Sequence, residues 1–144
     1  MLLYCRRNRN YYPYYHASRY GRGTALSLNI ASPVYDDTEF DAVPYLEAVA
    51  TWDQAAEEIT IFAVNRNLTQ VLRLEGDTRG FANYRVMEHI TLSHPDLKAS
   101  NTEEEPQQVV PETNGDAKMT SGMLHATLPK ASWNVIRMSK AREG

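Results

Sequence analysis

A chain of 144 residues, 42% apolar and 23% charged, has the size and composition of one globular domain, which excludes wholesale disorder. No run approaches the ~18 apolar residues of a membrane-spanning helix, and the net charge of −3 is too small to steer a polyanion, so neither a membrane nor a nucleic acid is an expected partner. The single cysteine, Cys5, excludes an intrachain disulfide framework and a multi-cysteine zinc site, and suits a reducing compartment. In chain order, residues 1–10 come first as a basic tail with Arg6, Arg7 and Arg9 and no apolar period. Met1-Leu2-Leu3 runs straight into it, so no export signal is expected and the location is expected to be cytoplasmic. Tyr11 to Gly23 follows, with Tyr11, Tyr12, Tyr14, Tyr15 and Tyr20 in one short helix opened by Pro13 and closed by Gly21 and Gly23. Aromatics at helical spacing pack on a neighbouring layer, although interleaved arginines also suit a stacking platform for sugars or bases.

From Thr24 the period changes to two. Leu26, Leu28 and Ile30 alternate with Ser27 and Asn29, predicting a half-buried strand up to Ser32-Pro33. The acidic stretch from Tyr35 to Pro44 reads as a loop, and Tyr45 to Trp52 as a strand that turns at Asp53 to Glu57 into Ile59 to Asn67. That last segment, ITIFAVNRN, is apolar on both faces and predicts an interior strand, antiparallel to the one before it. Asn67-Leu68-Thr69 has the form of a glycosylation sequon and is read as an accident of the turn. Thr69 to Glu75 alternates like an edge strand, and Gly76 to Asn83 is a loop. Tyr84 to Leu92 predicts a nine-residue strand with Tyr84, Val86, Glu88, Ile90 and Leu92 on one side and Arg85, Met87, His89 and Thr91 on the other. His94 to Gly115 is irregular and acidic, a functional loop or an excursion over a partner. Met123 to Leu128 and Ser132 to Met138 are the final strands. The series predicts an all-β fold: an antiparallel β-sandwich or jelly roll preceded by one short helix.

Candidate chemistry is sparse. Glycoside hydrolysis needs two carboxyl groups facing each other across a sugar, one with a raised pKa. Among Glu57, Glu58, Glu88, Asp96 and Glu103 to Glu105, the adjacent Glu57 and Glu58 would point to opposite faces of a strand, and the triple run reads as a solvated loop. Glu88 shares a side with apolar neighbours and is expected to be held by an ion pair or hydrogen bond near a sheet edge. His89 and His94 lack companion ligands at metal spacing, and His16 and His125 lie far off in sequence. No phosphate loop or nucleophile elbow is present. No catalytic, cofactor-binding or metal residue is assigned.

The ordered motifs YYPYYHASRYGRGTAL, VPYLEAVATWD, ITIFAVNRN, YRVMEHITL, HPDLKASNT, VVPETNGDAK and ATLPKASWNVIRM, from about Tyr11 to about Met138, resemble the C-terminal part of intracellular bacterial α-L-arabinofuranosidases of glycoside hydrolase family 51. The resemblance implies a retaining enzyme, needing no metal or cofactor, whose (β/α)8 barrel carries a glutamate acid/base and a glutamate nucleophile upstream of everything in this sequence. Residues 11–23 would then be the closing segment of the barrel and 24–140 a C-terminal sandwich, with 1–10 unmatched. It also implies that a strand from the enzyme's own N-terminus joins the sandwich. The expected partners are the barrel, a second copy in a homo-oligomer, and arabinose-containing glycans through the barrel alone. Two other expectations stand beside it: a free-standing carbohydrate-binding module stacking sugars on Tyr11, Tyr12, Tyr14, Tyr15 or Trp52, and a truncated product with no function.

Overall fold

The structure is a computed structural model that describes residues 11–36, 38–93 and 111–142. Helix α1 (Tyr11–Tyr20) is followed by strands β1 (Thr24–Leu26), β2 (Val34–Tyr35), β3 (Val43–Pro44), β4 (Leu46–Asp53), β5 (Glu58–Asn65), β6 (Leu72–Asp77), β7 (Tyr84–Leu92), β8 (Lys118–Thr120), β9 (Met123–Leu128) and β10 (Ser132–Lys140). They form a five-stranded sheet in the order β1-β4-β5-β10-β7, a three-stranded sheet β6-β9-β8 and the small ribbon β2-β3. Every ladder is antiparallel. The predicted all-β sandwich is therefore the observed fold.

The core lies between the two sheets. Ile59 and Ala63 of β5 and Ile136 and Met138 of β10 meet Leu124, Ala126 and Leu128 of β9, all of them buried. Burial of such side chains is the main term holding a sandwich together. Strand β5 is interior and covered on both faces, because Phe62 points away from Ile59 and Ala63 into a second apolar cluster. Its last residue, Asn65, is only 1% exposed. There the side-chain amide donates to the carbonyls of Pro129 (2.9 Å) and Gln70 (3.1 Å), tying the end of β5 to the corner where the chain crosses from β9 to β10. Asn67 completes the turn: its Oδ1 accepts from the backbone N–H groups of Thr69 and Gln70, both at 3.0 Å.

Three expectations are corrected. The strand expected from Thr24 to Ser32 stops at Leu26, and Leu28 and Ile30 are 42% and 40% exposed. Alternation supplies the period but not the partner. Strand β1 pairs with β4 only over Ala50 to Trp52, and the chain next meets β4 through the Ser32 hydroxyl, which accepts from the Leu46 N–H at 2.9 Å. Second, β7 does not keep one face. Pairing with β10 skips Met87, between Glu88 opposite Arg137 and Val86 opposite Met138. One extra residue in a ladder reverses the alternation. Tyr84 and Val86 thus join the inter-sheet core while Ile90 joins the cluster of Phe62 on the opposite face. Third, β8 was not expected at all. It forms a two-residue hairpin with β9 over Ser121 (φ 51) and Gly122 (φ 77), the left-handed conformations that tight hairpin turns demand.

Candidate functional site

The outer face of the large sheet is where charge, aromatic rings and burial coincide. Phe62, Ile90 and Val135 form an apolar bed there, with Trp133 and Tyr20 packed on it. Helix α1 covers the bed. His16, 5% exposed, lies flat on the Trp133 ring, with centroids 5.1 Å apart and planes within 4°. The chain leaves α1 through Gly23 (φ +93), so close to β4 that a Cβ there would stand 2.2 Å from the Trp52 carbonyl oxygen. Burial pushes the His16 pKa below its ordinary value, with the Glu88 charge opposing and Arg19 reinforcing the shift. His16 is thus a neutral packing histidine, and its Nδ1 is buried with no hydrogen-bond partner among the described residues.

Arg137 is the electrostatic centre of this face. Its Nη1 donates to Glu88 at 2.6 Å and its Nη2 to Glu58 at 3.2 Å, while Cζ sits 4.2 Å above the Tyr20 ring. Desolvation works against the guanidinium charge. The hydrogen bond to Glu88 and the charges of Glu88 and Glu58 outweigh it, leaving the Arg137 pKa above its ordinary value. A retaining glycosidase keeps its two carboxyl groups about 5–5.5 Å apart with one held protonated. Here a guanidinium stands between Glu58 and Glu88, which favours the ionised form of both and fills the space a sugar would need. The cluster does structural electrostatics, and Glu88 has the ion pair at a sheet edge that its position predicts.

The remaining candidates are scattered. Glu57 is not in a strand; it sits in the turn before β5 (φ 55) and pairs with Lys140 at 2.8 Å. His89 is 4% exposed and held between two partners. Its Nδ1 accepts from the Ala117 N–H at 3.3 Å, so Nε2 carries the proton and donates to Asn134 Oδ1 at 3.0 Å. Gly115 lies against the ring so closely that a Cβ would stand 2.0 Å from His89 Cγ. His125 faces outward on the small sheet, opposite Glu75 and Lys118. His16, His89 and His125 therefore occupy three separate places, and among the described residues no three His, Cys, Asp or Glu side chains gather at one point. Cys5, Arg6, Arg7, Arg9, His94, Asp96 and Glu103 to Glu105 lie outside the described residues, as do the side chains of Tyr11, Tyr12 and Tyr14. Trp52, half-buried, packs against the inter-sheet core, meets Phe81 edge-on and donates its indole N–H to the Tyr84 hydroxyl at 3.1 Å. Tyr15, 40% exposed, accepts a hydrogen bond from Arg19 at 2.7 Å.

Arg137 escaped the sequence reading, though a signal existed. In Ser132-Trp133-Asn134-Val135-Ile136-Arg137 it is the one charge in a buried run, and it shares a face with Trp133 and Val135.

Residues 6–132 match the family described as the alpha-L-arabinofuranosidase C-terminal domain. The chain belongs to that family. Over 130 residues it is 52% identical to the intracellular exo-alpha-(1->5)-L-arabinofuranosidase of Halalkalibacterium halodurans and 44% identical to intracellular exo-alpha-(1->5)-L-arabinofuranosidase 1 of Bacillus subtilis. Both alignments take in 90% of this chain and 26% of the relative. A family 51 α-L-arabinofuranosidase from Bifidobacterium longum, 32% identical, superposes with a TM-score of 0.83 over 91% of this chain and 26% of that one. The GH51 arabinofuranosidase of Xanthomonas axonopodis pv. citri, 20% identical, shares the fold at a TM-score of 0.66 over 74% of this chain and 21% of that one. The chain thus spans about a quarter of the length of the relatives it matches. The family match opens at Arg6 and closes at Ser132, whereas the motifs in the sequence run from Tyr11 to Met138.

Proposed function

We propose that this chain serves as the non-catalytic C-terminal sandwich of a cytoplasmic, retaining α-L-arabinofuranosidase acting on arabinan or arabinoxylan fragments. The catalytic glutamates belong to a (β/α)8 barrel outside these residues, residues 11–23 close that barrel, and 24–140 form the sandwich that flanks it. The relatives named as intracellular arabinofuranosidases, each extending well beyond the shared part, support the reading. One structural observation carries it: on the face of the sheet where acids cluster, Glu58 and Glu88 are joined through Arg137 rather than opposed across an open cleft. The domain's work is then to hold the barrel and to contribute contacts in a homo-oligomer.

Incubating the 144-residue chain with an aryl α-L-arabinofuranoside tests the catalytic part. No release of the aryl group above buffer is expected, and turnover that stays with the protein through purification would overturn the reading. Solution mass tests the oligomer contacts separately.

A further inference from the structure

Asparagine followed by glycine occurs once in the chain, at Asn114-Gly115. The pair is chemically labile for a local reason: with no side chain on the following residue, its backbone nitrogen can reach the asparagine Cγ unhindered. Asn114 is also exposed to the water that the reaction consumes.

The glycine is fixed by packing. Gly115 lies against the His89 ring, where a Cβ would stand 2.0 Å from Cγ and 2.1 Å from Nδ1. His89 is buried and bonded to Asn134 and Ala117, which leaves its ring no room to give way. Any side chain at 115 that would slow attack on Asn114 is therefore shut out. The lability comes with the fold.

The same segment holds the reacting groups apart. Asn114 Oδ1 accepts from the Thr91 hydroxyl at 2.6 Å, and its Nδ2 donates to Glu112 Oε2 at 2.8 Å. The Gly115 N–H donates to the His89 carbonyl at 3.1 Å, and Glu112 and Thr91 exchange two backbone bonds of 2.8 Å. To react, the Gly115 nitrogen must leave His89 and the Asn114 amide must turn from Thr91 towards it. Both moves need residues 112–115 to part from the edge of β7.

We propose that Asn114 is a site of spontaneous deamidation kept latent by the edge of β7, and that reaction there unpairs residues 112–115 from that edge. The Gly115 nitrogen gives up its proton to base and bonds to Asn114 Cγ; the Cγ–Nδ2 bond breaks, and the departing nitrogen takes a proton to leave as ammonia, closing a succinimide. Water then opens the ring. Attack at Cγ gives aspartate and attack at the Asn114 backbone carbonyl carbon gives isoaspartate, with no oxidant or reductant involved. Aspartate sets a carboxylate oxygen where Nδ2 met Glu112 Oε2, acceptor against acceptor. Isoaspartate runs the main chain through Cβ and Cγ, adding one carbon between the bonds at Glu112 and Gly115, so the two no longer fit β7 together. The inference rests on residues 89–91 and 112–115 alone, whatever the parent enzyme cleaves.

The test follows the 144-residue chain at mildly alkaline pH by peptide mass spectrometry, folded and, in parallel, unfolded in urea. In urea Asn114 is expected to be the first asparagine converted. In the fold the same conversion is expected to slow by at least about tenfold, since more than one hydrogen bond must open. Hydrogen exchange at the Gly115 amide, which needs only its own bond to open, sets the smallest protection expected. Thr91→Val keeps the branched shape but removes the bond to Asn114 Oδ1, and is expected to speed conversion in the fold about three- to tenfold. Asn114→Asp, the straight product, is expected to raise exchange at the Thr91 and Gly115 amides by about the same factor. Equal rates in the fold and in urea would overturn the proposal, as would another asparagine reacting first in urea, or a slowing smaller than that of exchange at Gly115. So would Thr91→Val or Asn114→Asp leaving its readout unchanged, or no conversion in either folded form.

Discussion

The two faces of the five-stranded sheet are built on opposite plans. Toward the small sheet, Ile136, Met138 and Val86 meet Leu124 and Leu128 in a dry, interlocked core. Toward α1, the same strands present Arg137, Glu58, Glu88 and Thr60, with the apolar bed of Phe62, Ile90 and Val135 beside them and three buried polar atoms lacking partners among the described residues. Each such atom costs more unsatisfied than an apolar group of the same shape, so this face is held at a higher energetic cost than the inner one. The difference is between a face closed by apolar packing alone and one closed by an ion-pair network and a helix, whose polar atoms are only partly satisfied among the described residues.

The contrast can be broken most forcefully from the inner side. Leu128→Ala removes a side chain with 0% exposure facing β5 and β10, and is expected to cost about 2–5 kcal/mol, read as a lower urea midpoint at unchanged slope. A cost near zero would mean that the inner face is not the core. On the outer side, Arg137→Met keeps the stem but strands Glu88 and Glu58, and is expected to cost about 1.5–3 kcal/mol. Combining it with Glu88→Gln should recover part of that loss; strict additivity in the double-mutant cycle would show that the ion pair is not coupled.

A smaller effect is set by pH. Because the His16 pKa is lowered in the fold, the unfolded chain takes up a proton first as pH falls below about 6.5. Stability is therefore full above that value and declines with acidification toward the folded pKa. His16→Phe, which keeps a ring against Trp133, should flatten that decline in melting temperature between neutral and mildly acidic pH. An unchanged slope would place the acid sensitivity elsewhere. The smallest effect belongs to neither face. Asp77, held to a pKa of about 2 chiefly by its hydrogen bond from Arg79, sits in solvent, and Asp77→Asn is expected to leave the melting temperature where it was.

How legible each face was follows from what a period of two can carry. The inner face was readable because Ile59, Ile61 and Ala63 repeat at every second residue, and the boundaries of β7, β9 and the start of β10 fell where the alternation put them. The outer face was readable only up to the first irregularity. Met87 carries no mark of the bulge it occupies, yet it decides that Glu88 faces α1 and Arg137. The lone Glu88 among apolar neighbours correctly announced an ion pair, but the partner lay 49 residues away, and pattern alone cannot name a partner at that distance. Asn65 read as the polar end of the ITIFAVNRN strand and Asn67 as the start of a turn; nothing local said that Asn65 would be sealed at the corner between the sheets. Leu28 and Ile30 misled for the complementary reason, since alternation without a ladder to join leaves a strand unformed.

The order of strands in the large sheet also governs when it can exist. β10, the last strand in the sequence, is hydrogen-bonded to β5 on one side and to β7 on the other. Until it emerges from the ribosome, β5 and β7 have no bridge between them, and the amide of Asn65 has no corner to close. The nascent chain therefore carries an unsatisfied edge on β5 and, from Leu92 on, a second on β7, both rich in β-branched residues, until β10 is made from Ser132. The sandwich is completed by a single late insertion, which makes its birth slow, dependent on distant contacts and exposed to misassembly at the one moment before β10 arrives.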